Sequence, residues 1–513
     1  MIDNSYDIII IGTGAGGGTL AYKLASSGKK ILVLERGNFL PKSKQNWDTK
    51  QVSQKEYYRT KEIWYDQDGK AIHPLTHYYV GGNTKLYGGA LFRMRERDFE
   101  QVGHQDGISP EWPLKYRDFA PYYDQAEKLY EVHGQRGVDP TEPKASLSYP
   151  YPPVSHESYI QEVNHALKDK SLHPFSLPLA IKLNEVDRQL SSCIRCDTCD
   201  GFPCLMDAKA DADINAIRPA IAYKNLKLIT EAKVVRLHTS PSGREITGVE
   251  TEIAGERRIF SAHIVVVACG AINSAILLLK SANDQHPDGL ANSSGLVGRN
   301  YMTHNFGVVM SLSTKPNPTI FTKTLAVNDF YWGESDFAYP MGSVQLLGNV
   351  NKDKIAAYGP PLVSNFVAQA IASHSLSWLA IAEDLPNENN RVYLKHNSVR
   401  VTYKKNNQVA FNRLIKRWTE VLKSLSIYQQ KGQYTLHIPQ AMGVREVAHQ
   451  CGTCRFGEDP KTSVLDINCR THDIDNLYVV DGSFFPSSSA LNPSLTIIAN
   501  ALRIGTHLLA KIK

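Results

Sequence analysis

One local arrangement constrains the fold more than any other: an apolar strand that runs straight into a glycine-rich turn. Tyr6 to Ile11 reads as a short buried strand, and Gly12-Thr13-Gly14-Ala15-Gly16-Gly17-Gly18 follows it. Gly12, Gly14 and Gly17 fall on the G-x-G-x-x-G spacing. A helical stretch continues through Leu24 and stops near Gly28, and a second strand, Lys30 to Leu34, ends at Glu35. Each part has a physical task. Gly12 permits the tight turn, Gly14 lets the backbone approach a pyrophosphate, and Gly17 lets helix and strand pack closely. The free N–H groups and positive dipole end of the helix attract phosphate. Glu35 is placed to accept hydrogen bonds from an adenosine ribose. A glycine-rich turn alone is a weak signal, but one set between strand and helix, with an acid at this distance, reads as a dinucleotide site. After Glu35-Arg36-Gly37 no second strand–helix repeat follows promptly. The chain enters a polar, loop-rich stretch from Asn38 to Asp66, which favours FAD over NAD.

Composition bounds what can surround this unit. At ~100–200 residues per domain, 513 residues allow two to four domains. Hydrophobic residues at 42% and charged residues at 21% supply a large core and exclude a disordered chain. The 57 Lys and Arg exceed the 51 Asp and Glu by only 6, too thin a surplus at this length to imply a nucleic-acid partner. No apolar run approaches the ~20 residues that span a bilayer. The opening, Met1-Ile2-Asp3-Asn4, lacks the charged and apolar regions of a signal peptide, so a cytoplasmic location is expected. Asn292-Ser293-Ser294 is then a chance match to the glycosylation pattern.

Further along, Tyr79-Val80-Gly81-Gly82-Asn83-Thr84-Lys85-Leu86-Tyr87-Gly88-Gly89 suits a backbone threading past a flat ligand. Trp112-Pro113-Leu114 leads to Tyr116, Tyr122 and Tyr123, with a helical pattern from Tyr122 to Tyr130. Glu383-Asp384-Leu385-Pro386 precedes Asn390-Arg391-Val392. Near the C-terminus come His449-Gln450-Cys451-Gly452-Thr453, a strand ending at Asp481-Gly482-Ser483, then Ala490-Leu491-Asn492-Pro493 and a helix to Lys511. In this order the segments resemble the glucose-methanol-choline (GMC) oxidoreductase family of FAD enzymes across nearly the whole chain.

The resemblance implies an α/β fold: a Rossmann-type FAD-binding domain with a second, α+β substrate domain built on an antiparallel sheet. On that pattern the FAD-binding domain takes 1–40, 75–145, 200–310 and 445–513, and the substrate-binding domain takes 41–74, 146–199 and 311–444. The alternating stretch Leu228 to Leu237 and the run Ile264 to Ala268 read as further strands of the FAD domain, and Cys269-Gly270-Ala271 turns into a helix over Ile272 to Leu279.

Alcohol oxidation by a flavin needs a base for the hydroxyl proton and the flavin N5 for the carbon hydride. An imidazole titrates near neutral pH and suits the first task. His449 maps onto the family's catalytic histidine, and Asn492 onto its partner, which is His in some members and Asn in others. An amide can orient the substrate oxygen but cannot act as a base, so the acid–base role rests on His449. Read locally, without the family motif, His449 is an ordinary buried histidine and Asn492 a turn initiator before Pro493. A helix starting after Pro493 aims its N-terminus at negative charge developing on the flavin. By the resemblance Asp481 lies near the FAD phosphates or ribityl chain, and Thr84 and the backbone at Val234 are further FAD contacts. Some members attach FAD covalently through a histidine at the position that is Leu86 here, so non-covalent FAD is expected.

The expected reaction is oxidation of a CH–OH group of a sugar, glycoside or other alcohol, with oxygen or an external electron acceptor reoxidising the flavin. The family also includes hydroxynitrile lyases and a light-driven decarboxylase, and a lyase with no net redox turnover is the alternative reading. Substrate contacts are expected from 311–444, where Phe330-Tyr331-Trp332 to Tyr339 offers aromatic rings that serve either a sugar or core packing. Four of the eight cysteines, Cys193, Cys196, Cys199 and Cys204, fall in twelve residues. Such density invites zinc or an iron–sulfur cluster, as in some bacterial members whose spacing differs. Structural or free thiols are the preferred reading. Cys451 and Cys454 form C-x-x-C away from any thioredoxin-like turn, and packing is expected there.

Overall fold

Ile8 to Ile11, Ile31 to Leu34 and Ile264 to Val267 are short, continuous apolar runs, the pattern of strands buried on both faces. In the computed structural model, which describes residues 5–358, 363–429, 431, 435–442 and 448–512, they lie side by side. Strand Ser5–Ile11 pairs in parallel with Ile31–Leu34 on one side and Glu256–Val267 on the other. Leu226–Ile229 and Leu477–Val479 extend the parallel sheet at its two ends. Helices Ala15–Ala25 and Ser494–Lys511 pack together against it, and their buried leucines join one continuous core. Fully burying each such aliphatic side chain contributes roughly 1.5–3 kcal/mol.

The stretch Leu228 to Leu237 is not one strand. It divides into Leu226–Ile229 and Ala232–Thr239, because Glu231 between them adopts a left-handed φ of 52° and turns the chain. The first piece joins the parallel sheet. The second pairs antiparallel with Ile246–Ile253, which returns through Glu256–Val267 as a meander.

The second sheet is antiparallel throughout. Its order is Thr435–Ala441, Asn305–Ser313, Ser375–Ala382, Ser343–Leu346, Leu325–Val327 and Phe175–Ser176. Strand Asn305–Ser313 crosses residue 310, and the expected limit at 444/445 lies outside the described residues. Helix Gln408–Ser424 covers one face, where Trp378 and Trp418 meet edge to face at 4.8 Å. Among the described residues no helix is long and apolar enough to cross a membrane.

Candidate active site

A cavity of about 1280 Å³ runs from the glycine-rich turn to the antiparallel sheet. This exceeds the ~300–1,000 Å³ usual for one drug-sized ligand. Gly12, Gly14, Glu35, Thr84, Val234, Asp481, His449, Asn492 and Pro493 all line it. Of the catalytic and cofactor-binding residues expected from sequence, Gly17 is the one that does not.

The three glycines differ in what surrounds them. Gly12 has φ of +102°, and a Cβ there would lie 2.3 Å from the Ala268 carbonyl oxygen. At Gly17 a Cβ would lie 2.1 Å from the Gly12 oxygen, so helix and turn touch backbone to backbone. At Gly14 a Cβ would meet nothing within 4 Å. That open side, at the first turn of helix Ala15–Ala25, borders the cavity rather than protein atoms.

The acids at this end are largely engaged by the chain. Glu35 Oε2 accepts from the Thr13 N–H at 3.0 Å and its hydroxyl at 2.6 Å, and Oε1 accepts from the Gly37 N–H at 2.9 Å. Asp481 Oδ2 accepts from the Gly270 N–H and Ser274 Oγ, and Oδ1 from the Ser483 N–H and Oγ. Burial pushes both carboxyl groups up, and these hydrogen bonds oppose the rise. Thr84 donates its hydroxyl to the Gly81 carbonyl and accepts from the Ala212 N–H. These side chains hold the shape of the cavity. Leu86 also lines it with a hydrocarbon side chain.

At the other end His449 lies against Phe306, ring centroids 4.9 Å apart, and against His304 at 5.2 Å. The two imidazole Nδ1 atoms are 3.2 Å apart. Burial, then the neighbouring His304 and Lys323, hold the His449 pKa well below its usual value, with Asp200 opposing. His449 is therefore neutral at neutral pH. Asn492 Oδ1 accepts from Gln345 Nε2 at 3.0 Å. Pro493, next in sequence, caps helix Ser494–Lys511, whose positive end faces the cavity.

A charged cluster borders the same region. Lys323 Nζ donates to Asp200 Oδ2 at 2.8 Å, and the Gly348 N–H donates to the same oxygen at 3.2 Å. Lys354 Nζ donates to the Asp200 carbonyl at 3.2 Å. Burial opposes ionisation of Asp200, but the two lysines override it and hold the carboxyl well below the usual carboxylate range. A Cβ on Gly88 would collide with Lys323 Nζ, so glycine is required for the pair to lie there. Phe306, Val308, Leu347 and Leu379 form an apolar wall.

The fold decides between several readings that the sequence left side by side. The Phe330 to Tyr339 stretch does not line the cavity: Phe330 and Tyr331 are buried in the core, and the Tyr331 hydroxyl donates to Asp98. Asp200 comes from outside 311–444. Sequence reasoning missed His304, Gln345, Lys323 and Asp200. Each is a common polar residue with no local pattern around it, and only folding brings them together. Cys193, Cys196, Cys199 and Cys204 are free thiols, and burial pushes Cys193 up to about 11 and Cys199 up to about 12. Cys193, Cys199 and Cys204 pack in an apolar cluster with Leu183 and Phe321. Among the described residues no three His, Cys, Asp or Glu side chains are arranged to hold a metal ion. Cys451 and Cys454 are fully buried in the core.

The chain belongs to the GMC oxidoreductase family: the models for that family match residues 6–306 and 386–501. It is an oxidoreductase of that class. It is 31% identical over 535 residues to 6'''-hydroxyparomomycin C oxidase of Streptomyces lividus, covering 99% of this chain and 93% of that relative. It is 28% identical to 2-methyl-1,2-propanediol dehydrogenase of Mycolicibacterium austroafricanum (98% and 95% covered) and 26% identical to the fructose dehydrogenase large subunit of Gluconobacter japonicus (99% and 98%). Among solved structures, pyridoxine 4-oxidase from Mesorbium loti superposes with a TM-score of 0.71 at 18% identity, covering 98% of this chain and 99% of that one. Formate oxidase of Aspergillus oryzae gives 0.70 at 15%, covering 99% and 98%. Both share the fold.

Proposed function

We propose that the protein is an FAD-dependent oxidoreductase that converts a CH–OH group of a sugar, glycoside or other polar alcohol to a carbonyl. The observation that carries this reading is a neutral histidine, His449, in one cavity with Asn492 and an open glycine-rich turn. Relatives named for a diol and for fructose support an alcohol substrate.

Gly12 to Gly16 and the helix that follows would hold the FAD diphosphate, Glu35 the ribose, and Val234 and Asp481 further parts of the cofactor. Bound FAD supplies the acceptor for the carbon hydride. The chain's own residues do the rest. His449 takes the hydroxyl proton, and its low proton affinity keeps the accepting form available at neutral pH. Asn492 holds the substrate oxygen in place. Lys323 and Asp200 present a donor and an acceptor side by side, which suits the further hydroxyl groups of a polyol, while the wall from Phe306 to Leu379 excludes water. Leu86 cannot form a covalent flavin bond, so FAD dissociates when the protein is denatured with acid. Yellow colour remaining on the acid precipitate would contradict that point.

The test is anaerobic reduction of the bound flavin across a panel of sugars, glycosides and simple alcohols. Bleaching by at least one polyol is expected. A flavin that none of them bleaches, in a protein that still cleaves a cyanohydrin, would assign a lyase instead. Where a substrate bleaches the flavin, oxygen or an added acceptor should restore the colour.

A further inference from the structure

Resting on that reading, we infer that His304 and Gln345, neither of which touches the reacting atoms, are positioning residues that fix the hydrogen-bond polarity of His449 and Asn492. His304 makes His449 a proton acceptor, and Gln345 makes Asn492 a donor.

The argument for His304 follows from counting protons. Its Nε2 lies 3.0 Å from the Ser488 carbonyl oxygen. A carbonyl only accepts, so this nitrogen carries a hydrogen. His304 is buried, and burial lowers its proton affinity, so the ring is neutral and Nδ1 holds a lone pair. The 3.2 Å contact between the two Nδ1 atoms then requires the hydrogen to sit on His449 Nδ1. A neutral imidazole has only one N–H. His449 Nε2 is therefore left with the lone pair that a base needs. The opposite tautomer would present an N–H to the substrate hydroxyl and could take no proton from it.

Asn492 has a partner of its own. Its Oδ1 accepts from Gln345 Nε2 at 3.0 Å, and Gln345 is fully buried on strand Ser343–Leu346. With the oxygen engaged, the amide N–H groups remain for the cavity that Asn492 lines. A donor there strengthens its bond as charge grows on the substrate oxygen, while His449 takes the proton. The hydroxyl thus meets one acceptor and one donor.

The surrounding backbone holds both arrangements. His304 has φ of 62°, in the left-handed region that a non-glycine side chain adopts at a cost. Ser488 lies on the same loop as Asn492. Its Oγ accepts from the Asp384 N–H at 3.2 Å and donates to the Asp384 carbonyl at 3.0 Å. Glu383 Oε1 accepts from the Ser489 N–H at 3.3 Å, and Oε2 lies 3.1 Å from His104 Nε2. The Glu383-Asp384 segment therefore braces the loop that supplies the carbonyl and the amide.

Two measurements on the FAD-loaded protein test this. The first is ¹⁵N NMR of histidine-labelled protein, with the His449 signals assigned by their loss in His449→Gln. An unprotonated Nε2 and a protonated Nδ1 are expected in the wild type, and mixed tautomers in His304→Leu. A wild-type His449 protonated on Nε2 would overturn the assignment whatever the substrate is. The second is the limiting rate of anaerobic flavin reduction, with the substrate concentration at half-saturation. His304→Leu should slow reduction about 100-fold, with half-saturation changed far less. His304→Asn, which keeps an acceptor near the Nδ1 position, should recover most of the rate. Gln345→Glu, nearly the same shape but an acceptor only, should be slower than Gln345→Met. Equal rates for the Asn and Leu variants, or a Glu variant faster than Met, would overturn the proposal. If no alcohol reduces the wild-type flavin while His449 shows the expected tautomer, the functional reading fails and the positioning role stands.

Discussion

At the end of the cavity formed by the glycine-rich turn, polar side chains are engaged by the protein: Asp481 accepts four hydrogen bonds and Glu35 three, all from nearby backbone or hydroxyl groups. At the other end, among the described residues, His449 has a polar contact with His304 and Asn492 one with Gln345, and both side chains line the cavity. The first end is a mould whose own groups are satisfied, so what it offers a ligand is space, backbone N–H groups and a helix dipole. On the proposed reading the second presents an acceptor and a donor, and burial makes each worth more than in water. Substitutions at the two ends should therefore fail in different ways.

The largest effect is expected at the second end. His449→Ala should retain FAD and lose alcohol oxidation by about 10²–10⁴-fold, measured as the rate of anaerobic flavin reduction. Near wild-type turnover would remove the base from the mechanism. Next comes the crowded part of the mould. Gly17→Ala places a Cβ 2.1 Å from a backbone oxygen, where nothing flexible can yield. It should destabilise the protein itself by about 1–3 kcal/mol or more, seen as a lower Tm even without FAD. Gly14→Ala sharpens the contrast. Its Cβ meets no protein atom within 4 Å, so apoprotein Tm should be unchanged while FAD affinity weakens about tenfold. Equal loss of Tm in both variants would mean that the open side of Gly14 is not the ligand's. The smallest effect is in pH. Burial, His304 and Lys323 all disfavour the charged form of His449, so the accepting form persists below pH 6.5. The kcat/KM profile should stay flat through neutrality and fall only on the acid side of 6.5. An acid limb centred above 6.5 would show that the charged form is instead favoured.

The mould was legible because it is local. Ser5 to Glu35 is one strand, one turn, one helix and one strand, and the spacing of its residues is the geometry. Leu226 to Thr239 shows where local reading stops: apolar alternation continues across Glu231, but the backbone turns there and the two halves enter different pairings. The four clustered cysteines teach the same lesson from the other side. Their spacing suggests a shared ligand, whereas in the fold three of them pack against apolar side chains and burial keeps Cys193 and Cys199 protonated.

By itself the sequence determined the family and the α/β class with its antiparallel partner sheet, and it pointed to His449 and Asn492 as the proposed pair, because each rests on residues close in the chain or on a motif. Only the tertiary structure decided that His304 lies against His449, that Gln345 lies against Asn492, and that Lys323 and Asp200 border the cavity. A hydrogen-bond direction depends on the partner's lone pairs, and those partners lie 147 residues apart in the chain or, for the imidazole pair, 145.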